Sequence, residues 1–319
     1  MFADLKNDFL FRKIFTQNPD LMAALLNDLL ELDGDERIAE VEILAPDQAP
    51  EIPAFKLSIV DVKCRQHTGR IFVVEMQLAH FTGFLHRMVY NASKAFVMQL
   101  PQGGKYQELK DVVAVSICNF ALWPDAERAK QGKVLIPMLS RWRMQEVHTG
   151  VKDELGQVQY VFLELGKLRE EAVKESRAAA WAWLFVEAPK LGAFPSGLPS
   201  EAHKRALELA NEAKFSEQER EAYRKIQDEI DAALNLAEQA ERRGEARGEA
   251  RGKAAGLREG KEAGEREGEA RGLRAAVETA CDLLGIELTE ARKAHLAGLD
   301  VAGLEALRLH LKQHRAWPA

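Results

Sequence analysis

The spacing of apolar residues changes along the chain between the helical and the strand period. Within the first hundred positions, apolar residues three and four apart predict three helices. The first covers residues 8–15, the second starts at Asn18-Pro19 and runs to about Leu32, and the third covers residues 81–100. An N-terminal helical layer and a later crossover helix are therefore expected.

Strands are predicted where apolar residues alternate or run together between turn residues. Residues 112–120, VVAVSICNF, are almost entirely apolar, which indicates a strand buried on both faces. The other predicted strands cover residues 38–44, 57–65 and 70–78, with weaker segments near residues 142–148 and 160–165. Helices before and between these strands favour an α/β fold, with a mixed-sheet core flanked by helices.

After Gly166 the pattern contains no convincing strand, so an all-helical C-terminal extension is predicted. Helices are expected over residues 177–186, 201–214 and 217–242. We assign the sheet and this helical part, which starts near residue 167, to a first domain over residues 1–235.

A glycine at every fourth position from Gly244 to Gly272, among Glu, Ala, Arg and Lys, marks residues 236–272 as a separate segment. Each glycine weakens a helix by about 0.5–1 kcal/mol relative to alanine. The repeat favours a solvated, semi-rigid spacer, and a packing or oligomerisation stalk is the alternative. Two amphipathic stretches, residues 273–284 and 301–314, predict a small helical domain over residues 273–319, either as a helical cap or as a module that pairs two copies of the chain.

Composition and charge narrow the function classes. The net charge is −6, and neither half of the chain is strongly basic, which argues against tight nonspecific DNA binding. No run of 18 apolar residues and no signal peptide are present, and the three cysteines lack metal-ligand spacing. We therefore expect a cytoplasmic protein with no membrane span.

The segment LSIVDVKCRQHTGRIFVVEMQ carries the candidate chemistry, with Asp61 in one predicted strand and Glu75 and Gln77 in the next. Acids in otherwise apolar strands are costly unless they are paired or bind a ligand. For Asp61 to meet Glu75 across an antiparallel pair, the connection needs an odd length, for instance three residues ending at Gly69. A two-residue turn would instead place Asp61 opposite Met76 and send the acids to opposite faces.

With that register, Asp61 and Glu75 would share a divalent cation, because Mg²⁺ takes oxygen ligands and only one or two carboxylates. The backbone carbonyl of Met76 would add an oxygen. A metal there would supply hydroxide near neutral pH and stabilise charge on a phosphate. Gln77 would orient the attacking water but cannot provide positive charge.

Four segments in order, KNDFLFRKIF, VDVKCRQHTGRIFVVEMQ, RMVYNASKAFVMQL and KYQELKDVVAVSICNF, resemble the Rpn family of recombination-promoting nucleases, also called PD-(D/E)XK nuclease family transposases. The resemblance covers about residues 1–236. The C-terminal LLGIELTEARKAHLAGLDVAGLEALRLHL is similar to a small helical domain often appended to that family.

This resemblance implies a restriction-endonuclease-like fold and a Mg²⁺-dependent DNA endonuclease associated with recombination or mobile elements. It implies that Asp61 and Glu75 are the metal-binding acids and that Asp8 is a further acid near the site. Gln77 stands where the wider superfamily has lysine. The resemblance leaves open a catalytically weak or inactive protein that binds DNA or a partner.

The helix after the second strand offers cations that would replace the missing lysine. Arg87, Tyr90 and Lys94 fall on one face of it, with Arg87 and Lys94 two turns apart. We name Lys94 and Tyr90 as candidate phosphate-binding residues, and a solvated helix face is the alternative.

Overall fold

The computed structural model describes residues 1–48, 58–152, 154–169, 171, 173 and 176–318. Contacts between residues divide the chain into two units, Met1–Ala237 and Glu238–Ala319. The first unit contains every described strand, and the second is helical. No helix among these residues is both long enough and apolar enough to cross a membrane.

Nine α-helices and eight strands make up the described parts of the chain. The helices are α1 Asp8–Gln17, α2 Pro19–Leu30, α3 Phe84–Val97, α4 Asp125–Lys130, α5 Arg177–Glu187, α6 Glu201–Leu209, α7 Glu217–Leu283, α8 Glu290–Gly298 and α9 Val301–His314. The strands are β1 Val41–Leu44, β2 Asp47–Gln48, β3 Ser58–Ile59, β4 Val62–Gln66, β5 Ile71–Gln77, β6 Val112–Cys118, β7 Leu139–Trp142 and β8 Val158–Glu164.

Six strands form one mixed sheet in the order β1-β4-β5-β6-β8-β7. The pairs β5–β6 and β6–β8 are parallel, and the other three are antiparallel. Helix α3 connects the parallel neighbours β5 and β6, as a crossover requires. The predicted α/β mixed-sheet core is therefore confirmed.

Helices cover the sheet on both faces. Phe72, Val74 and Met76 of β5 pack into a core with α1, α2 and α5, while Ile71 and Val73 pack with α3. The central strand β6 is buried along its whole length, as its apolar run predicts. Burial raises the pKa of the Cys64 and Cys118 thiols to about 12, so both stay protonated at neutral pH.

The β4–β5 hairpin has the register that a metal site requires. Val62 pairs with Val74 and Arg65 with Ile71, so the same register places residue 61 opposite residue 75. The connection is the predicted three-residue turn, closed by a 2.9 Å hydrogen bond from Gln66 N to Arg70 O. Gly69 adopts φ +94°, a conformation that L side chains rarely take.

The single strand predicted over residues 57–65 is wrong. Leu57 lies outside the described residues, and the strand breaks at Val60 and Asp61. The residues before the break, β3, pair with β2 in a separate two-stranded sheet. The amide of Val60 donates to Pro46 O at 3.4 Å, which directs it away from β5.

Two other strand boundaries differ because side chains take over backbone groups. The strand predicted from residue 38 begins only at Val41. The Asn27 side chain accepts from Ile38 N at 2.8 Å and donates to Ile38 O at 2.9 Å, so neither backbone group of Ile38 pairs with a neighbouring strand. The prediction over residues 142–148 is wrong beyond Trp142. There the Glu146 carboxylate accepts from His148 N at 2.9 Å and folds the segment into a turn.

The ends of some helices also differ from those predicted from the sequence. Helix α3 starts at Phe84 because Gly83 has φ +92°, which a right-handed helix cannot include. Helix α6 ends at Leu209, and the Asn211 side chain caps a separate 3₁₀ turn by accepting from Ala213 N at 3.1 Å. The predicted segments 217–242 and 273–284 belong to one helix, α7.

The second unit has a small core of its own. The C-terminal part of α7 packs Val277 and Cys281 against Leu296 of α8 and Leu304 of α9. Helix α8 was not predicted from the sequence. The glycine repeat lies within α7, and at each of its eight glycines an added Cβ would meet open space.

Candidate active site

The candidate residues lie where β4 begins and β5 ends, beside the first turn of α1 and the first turns of α3. Asp61 immediately precedes β4, whereas Glu75 is the third residue from the end of β5 and Gln77 is its last. Together with Asp8, they line one polar cleft of about 330 Å³. The remaining lining residues of this cleft are Arg12, Met76, Leu78 and Arg87.

Asp61 closes the hairpin with its side chain. In the ladder pattern, Met76 N would next meet the carbonyl of residue 60, but the chain has turned away there. The Asp61 carboxylate takes that place, and its Oδ2 accepts from Met76 N at 2.7 Å. Its Oδ1 accepts from Arg12 Nη2 of α1 at 2.9 Å. The bend that breaks the strand therefore points this acid into the cleft.

Glu75 is a buried acid, 2% exposed, held by two donors of α3. Arg87 Nη2 lies 2.7 Å from Glu75 Oε2, and Asn91 Nδ2 donates to Oε1. Arg87 and Asn91 are four residues apart and so share one helix face. These two contacts satisfy an acid that the apolar strand alone would not tolerate.

Gln77 is oriented by two partners. Its Nε2 donates to Ala79 O at 2.8 Å, so its Oε1 is the end left to accept. Arg87 Nη2 is the donor, at 3.0 Å. One guanidinium nitrogen thus touches both Glu75 and Gln77.

Asp8 is the first residue of α1, where a negative charge interacts favourably with the helix dipole. Burial raises the pKa of the Asp8 carboxyl above its usual 3.8, the negative charge of Asp61 raises it further, and the Arg12 cation opposes the shift. Burial is the largest cause of this shift, and repulsion from the Asp61 carboxylate adds to it. A cation bound in the cleft would relieve that repulsion.

The structure separates the candidate residues of α3. Of these three, Arg87 lines the cleft, whereas Tyr90 and Lys94 are not among its lining residues. Lys94 follows Tyr90 by one helical turn, and its Nζ lies 5.7 Å from the centre of the Tyr90 ring. Their proposed phosphate contact stays a prediction.

Sequence reasoning missed Arg12 and Asn91. Arg12 is 49 positions from Asp61, and Asn91 is 16 from Glu75, so neither contact has a local signature. The spacing of Asp8 and Arg12, one helical turn apart, would have been a usable signal once Asp8 was suspected.

The acids of the cleft are of the type that would hold a small hard cation. Asp61, Glu75 and Asp8 offer carboxylate oxygens to one polar cleft, and Mg²⁺ needs only one or two of them because it keeps several waters. Within the described parts of the chain, no group of three or more His, Cys, Asp or Glu side chains is arranged to hold a metal. Arginines accompany Asp61 and Glu75, which places positive charge beside both acids.

The substitution Asp8→Asn is expected to stabilise the metal-free protein at neutral pH. A carboxyl whose folded pKa is raised binds more protons in the folded state, so stability falls as the pH rises above the ordinary value of 3.8. The amide removes this cost. Thermal denaturation in EDTA should show a higher Tm for the variant at pH 7 and no gain below pH 3.8.

The matched control for this prediction is Asp35→Asn, at an exposed aspartate outside the cleft. An equal gain in Tm for both variants would contradict the assignment of the cost to Asp8. Mg²⁺ titration of the same variants then measures whether Asp8 also contributes to binding, in which case Asp8→Asn weakens it.

Comparison with known proteins assigns most of the chain to one family. The model of the family described as PD-(D/E)XK nuclease family transposase matches residues 5–239, which include all the residues of the cleft. The chain has no significant match among curated proteins or solved structures. Since the family match covers well over half of its length, the chain belongs to the PD-(D/E)XK nuclease family transposases.

Proposed function

We propose that this protein is a Mg²⁺-dependent DNA endonuclease that hydrolyses phosphodiester bonds and acts in recombination or on mobile elements. Family membership supports a nuclease-related function. The observation that supports the finer proposal is that Asp61, just before β4, and Glu75, near the end of β5, line the same polar cleft.

Asp61 and Glu75 would hold the metal, with Asp8 as a further oxygen donor. Bound there, Mg²⁺ would lower the pKa of a water molecule and stabilise negative charge on the phosphate. Gln77, whose amide is fixed by Ala79 O, would hold the attacking water in line. The arginines of the cleft would attract the DNA backbone. Because the net charge of the chain is −6, this attraction has to come from a local group of cations.

Plasmid cleavage tests this proposal. Wild-type protein is expected to nick supercoiled DNA with Mg²⁺ and to lose the activity in EDTA. Asp61→Asn should slow cleavage by about 100-fold or more, because the ligand charge is lost. The amide oxygen still accepts from Met76 N, so the hairpin end is preserved.

The control is Asp111→Ala, which removes an acid that pairs with Arg70 away from the cleft. It should cleave like wild type. Equal cleavage by wild type and Asp61→Asn would refute the proposed site.

A second candidate function is favoured by the arginine pairs. Since Arg12 and Arg87 already neutralise Asp61 and Glu75, the site also suits a weak or inactive nuclease that binds DNA or a partner protein. Such a protein would oligomerise through its C-terminal helices. Its signature would be DNA binding without cleavage and without detectable Mg²⁺ binding. The cytoplasmic location expected from the sequence stays a prediction in either case.

A further inference from the structure

Gln77 breaks the motif for which the family is named. In PD-(D/E)XK, a lysine follows the second acid by two residues, and here Glu75 is followed at that distance by Gln77. An amide carries no charge, so it can stabilise the negative charge that develops on a phosphate only by donating a hydrogen bond and not as a cation. A side-chain cation that takes the place of the lysine has to come from another part of the chain.

We propose that Arg87 supplies that charge and that Gln77 is its positioning residue, an inference that rests on the proposed nuclease function. Arg87 Nη2 donates to Gln77 Oε1 at 3.0 Å, so the cation stands at the end of the side chain that replaces the lysine. Arg12, the other arginine of the cleft, reaches it from α1 and pairs with Asp61.

The orientation of Gln77 is set by a group that can only accept. Ala79 O takes the Gln77 NH₂ at 2.8 Å, which leaves the carbonyl oxygen of the amide facing Arg87. The ring of Phe81 supports the same guanidinium from another side, with 5.1 Å between the Arg87 Cζ and the ring centre. Such cation–π contacts favour a fixed guanidinium plane.

Because Arg87 is paired with Glu75, a metal ion bound to Glu75 would change the interactions of Arg87. Without a bound ion, Arg87 Nη2 neutralises the buried carboxylate at 2.7 Å. A divalent cation on Glu75 would take over that role and repel the guanidinium. The Arg87 side chain is 44% exposed, so it can be reached by a phosphate while its contacts with Gln77 and Phe81 keep it beside the cleft. Arginine then offers paired donors that match phosphate oxygens.

This exchange predicts opposite effects on binding and on catalysis. In Arg87→Ala, Mg²⁺ binding measured by calorimetry should tighten by about 5-fold, because a competing charge has left the ligand. Cleavage at saturating Mg²⁺ should fall by about 10²–10³-fold, the usual loss for one electrostatic donor. A residue that only neutralised Glu75 would give tighter Mg²⁺ binding with undiminished cleavage.

The matched control is Arg65→Ala. Arg65 has a similar side-chain exposure, 47%, and a similar ion pair, 2.7 Å from Glu42, on the far part of the hairpin. Neither Mg²⁺ affinity nor cleavage should change in this variant.

Rescue provides the sharpest test. Adding Gln77→Lys to Arg87→Ala restores a cation at the motif position and should recover at least about 10-fold of the lost cleavage, given the size of one such contribution. Wild-type levels of cleavage in Arg87→Ala at saturating Mg²⁺, or unchanged Mg²⁺ affinity, would overturn the inference.

If the nuclease proposal itself is wrong, these experiments give a different result. Wild type and Asp61→Asn would then show the same background cleavage, and the role of Arg87 would fall with it. If instead Asp61→Asn is inactive while Arg87→Ala is fully active, the nuclease site stands and only the assignment of its cation is wrong.

Discussion

Glu75→Gln is expected to slow DNA cleavage by about 10³-fold or more, which corresponds to a barrier increase of about 4 kcal/mol. The substitution keeps the shape of the side chain but removes the charge that would bind the metal. Arg87 is also left facing a neutral amide. Since its side chain is 44% exposed, water would solvate it, and the main loss is catalytic rather than structural.

The amide does carry a packing cost. Both partners of the carboxylate, Arg87 and Asn91, are donors, so the NH₂ of glutamine would meet a donor unless the Asn91 amide rotates. An unsatisfied buried donor costs about 1–3 kcal/mol. Cleavage should therefore be measured at a temperature at which thermal denaturation shows the variant to be fully folded.

Glu164→Gln is the control for this substitution. Glu164 is also a fully buried acid at the end of a parallel strand, and it pairs with Lys167 Nζ at 3.1 Å. It is not among the residues that line the cleft. The control should lose stability but keep its cleavage rate per folded molecule. Comparable rate losses in both variants would contradict a specific catalytic role of Glu75.

Trp181→Ala is expected to destabilise the first unit by about 3–5 kcal/mol, the range for truncating a buried tryptophan. Trp181 is 1% exposed in α5, and its ring lies 4.3 Å from the His203 ring and 6.0 Å from the Phe15 ring, centre to centre. Its Nε1 donates to Asp28 Oδ2 at 2.9 Å. One side chain thus joins α1, α2, α5 and α6.

Urea denaturation of the full chain followed by circular dichroism would measure this loss. Trp181→Phe separates the contributions, because it keeps most of the apolar contact but leaves Asp28 without the indole donor, at a cost of about 1–3 kcal/mol. Trp142→Ala is the control, since Trp142 is 40% exposed. Equal destabilisation by Trp181→Ala and Trp142→Ala would show that the interface of α5 does not depend on its tryptophan.

The elements that sequence reasoning predicted well are those with a strong local signal. The apolar run of β6, the apolar residues of β5 and the glycine of the turn indicate the strands and the hairpin. The sequence left two turn lengths open, and the structure has the three-residue turn. The pattern therefore names Asp61 and Glu75 as candidates, whereas their role in a metal site stays a prediction.

The partners of the two acids did not follow, because tertiary contacts select them. Nothing near Arg12 in the sequence indicates that it meets Asp61, and the helical pattern of α3 does not show which of its cations turns towards the sheet. Arg87 does so because Glu75 and Gln77 lie within its reach. Lys94, two turns further along α3, lies over the Tyr90 ring instead.

The predicted strand boundaries were wrong where a side chain, instead of a backbone group, forms the hydrogen bond with a neighbouring segment. Asn27 removes Ile38 from the sheet, and Asp61 sets the start of β4 by accepting from the amide that a backbone carbonyl would otherwise bind. Propensity does not encode such substitutions, since they depend on which groups the fold brings together. It is notable for function that one of these exceptions is the candidate ligand itself.

The hydrogen bond from Met76 N to Asp61 also bears on which ion the cleft would prefer. Oδ2 accepts from a backbone amide that is fixed in the hairpin, whereas Oδ1 accepts from Arg12, whose side chain is 44% exposed, so Oδ1 is the oxygen that a cation would bind after displacing Arg12. Calcium favours six to eight oxygens and often takes both oxygens of a carboxylate, whereas magnesium accepts single oxygens in an octahedron. Because this backbone contact engages one oxygen of Asp61, we expect the cleft to bind magnesium in preference to calcium.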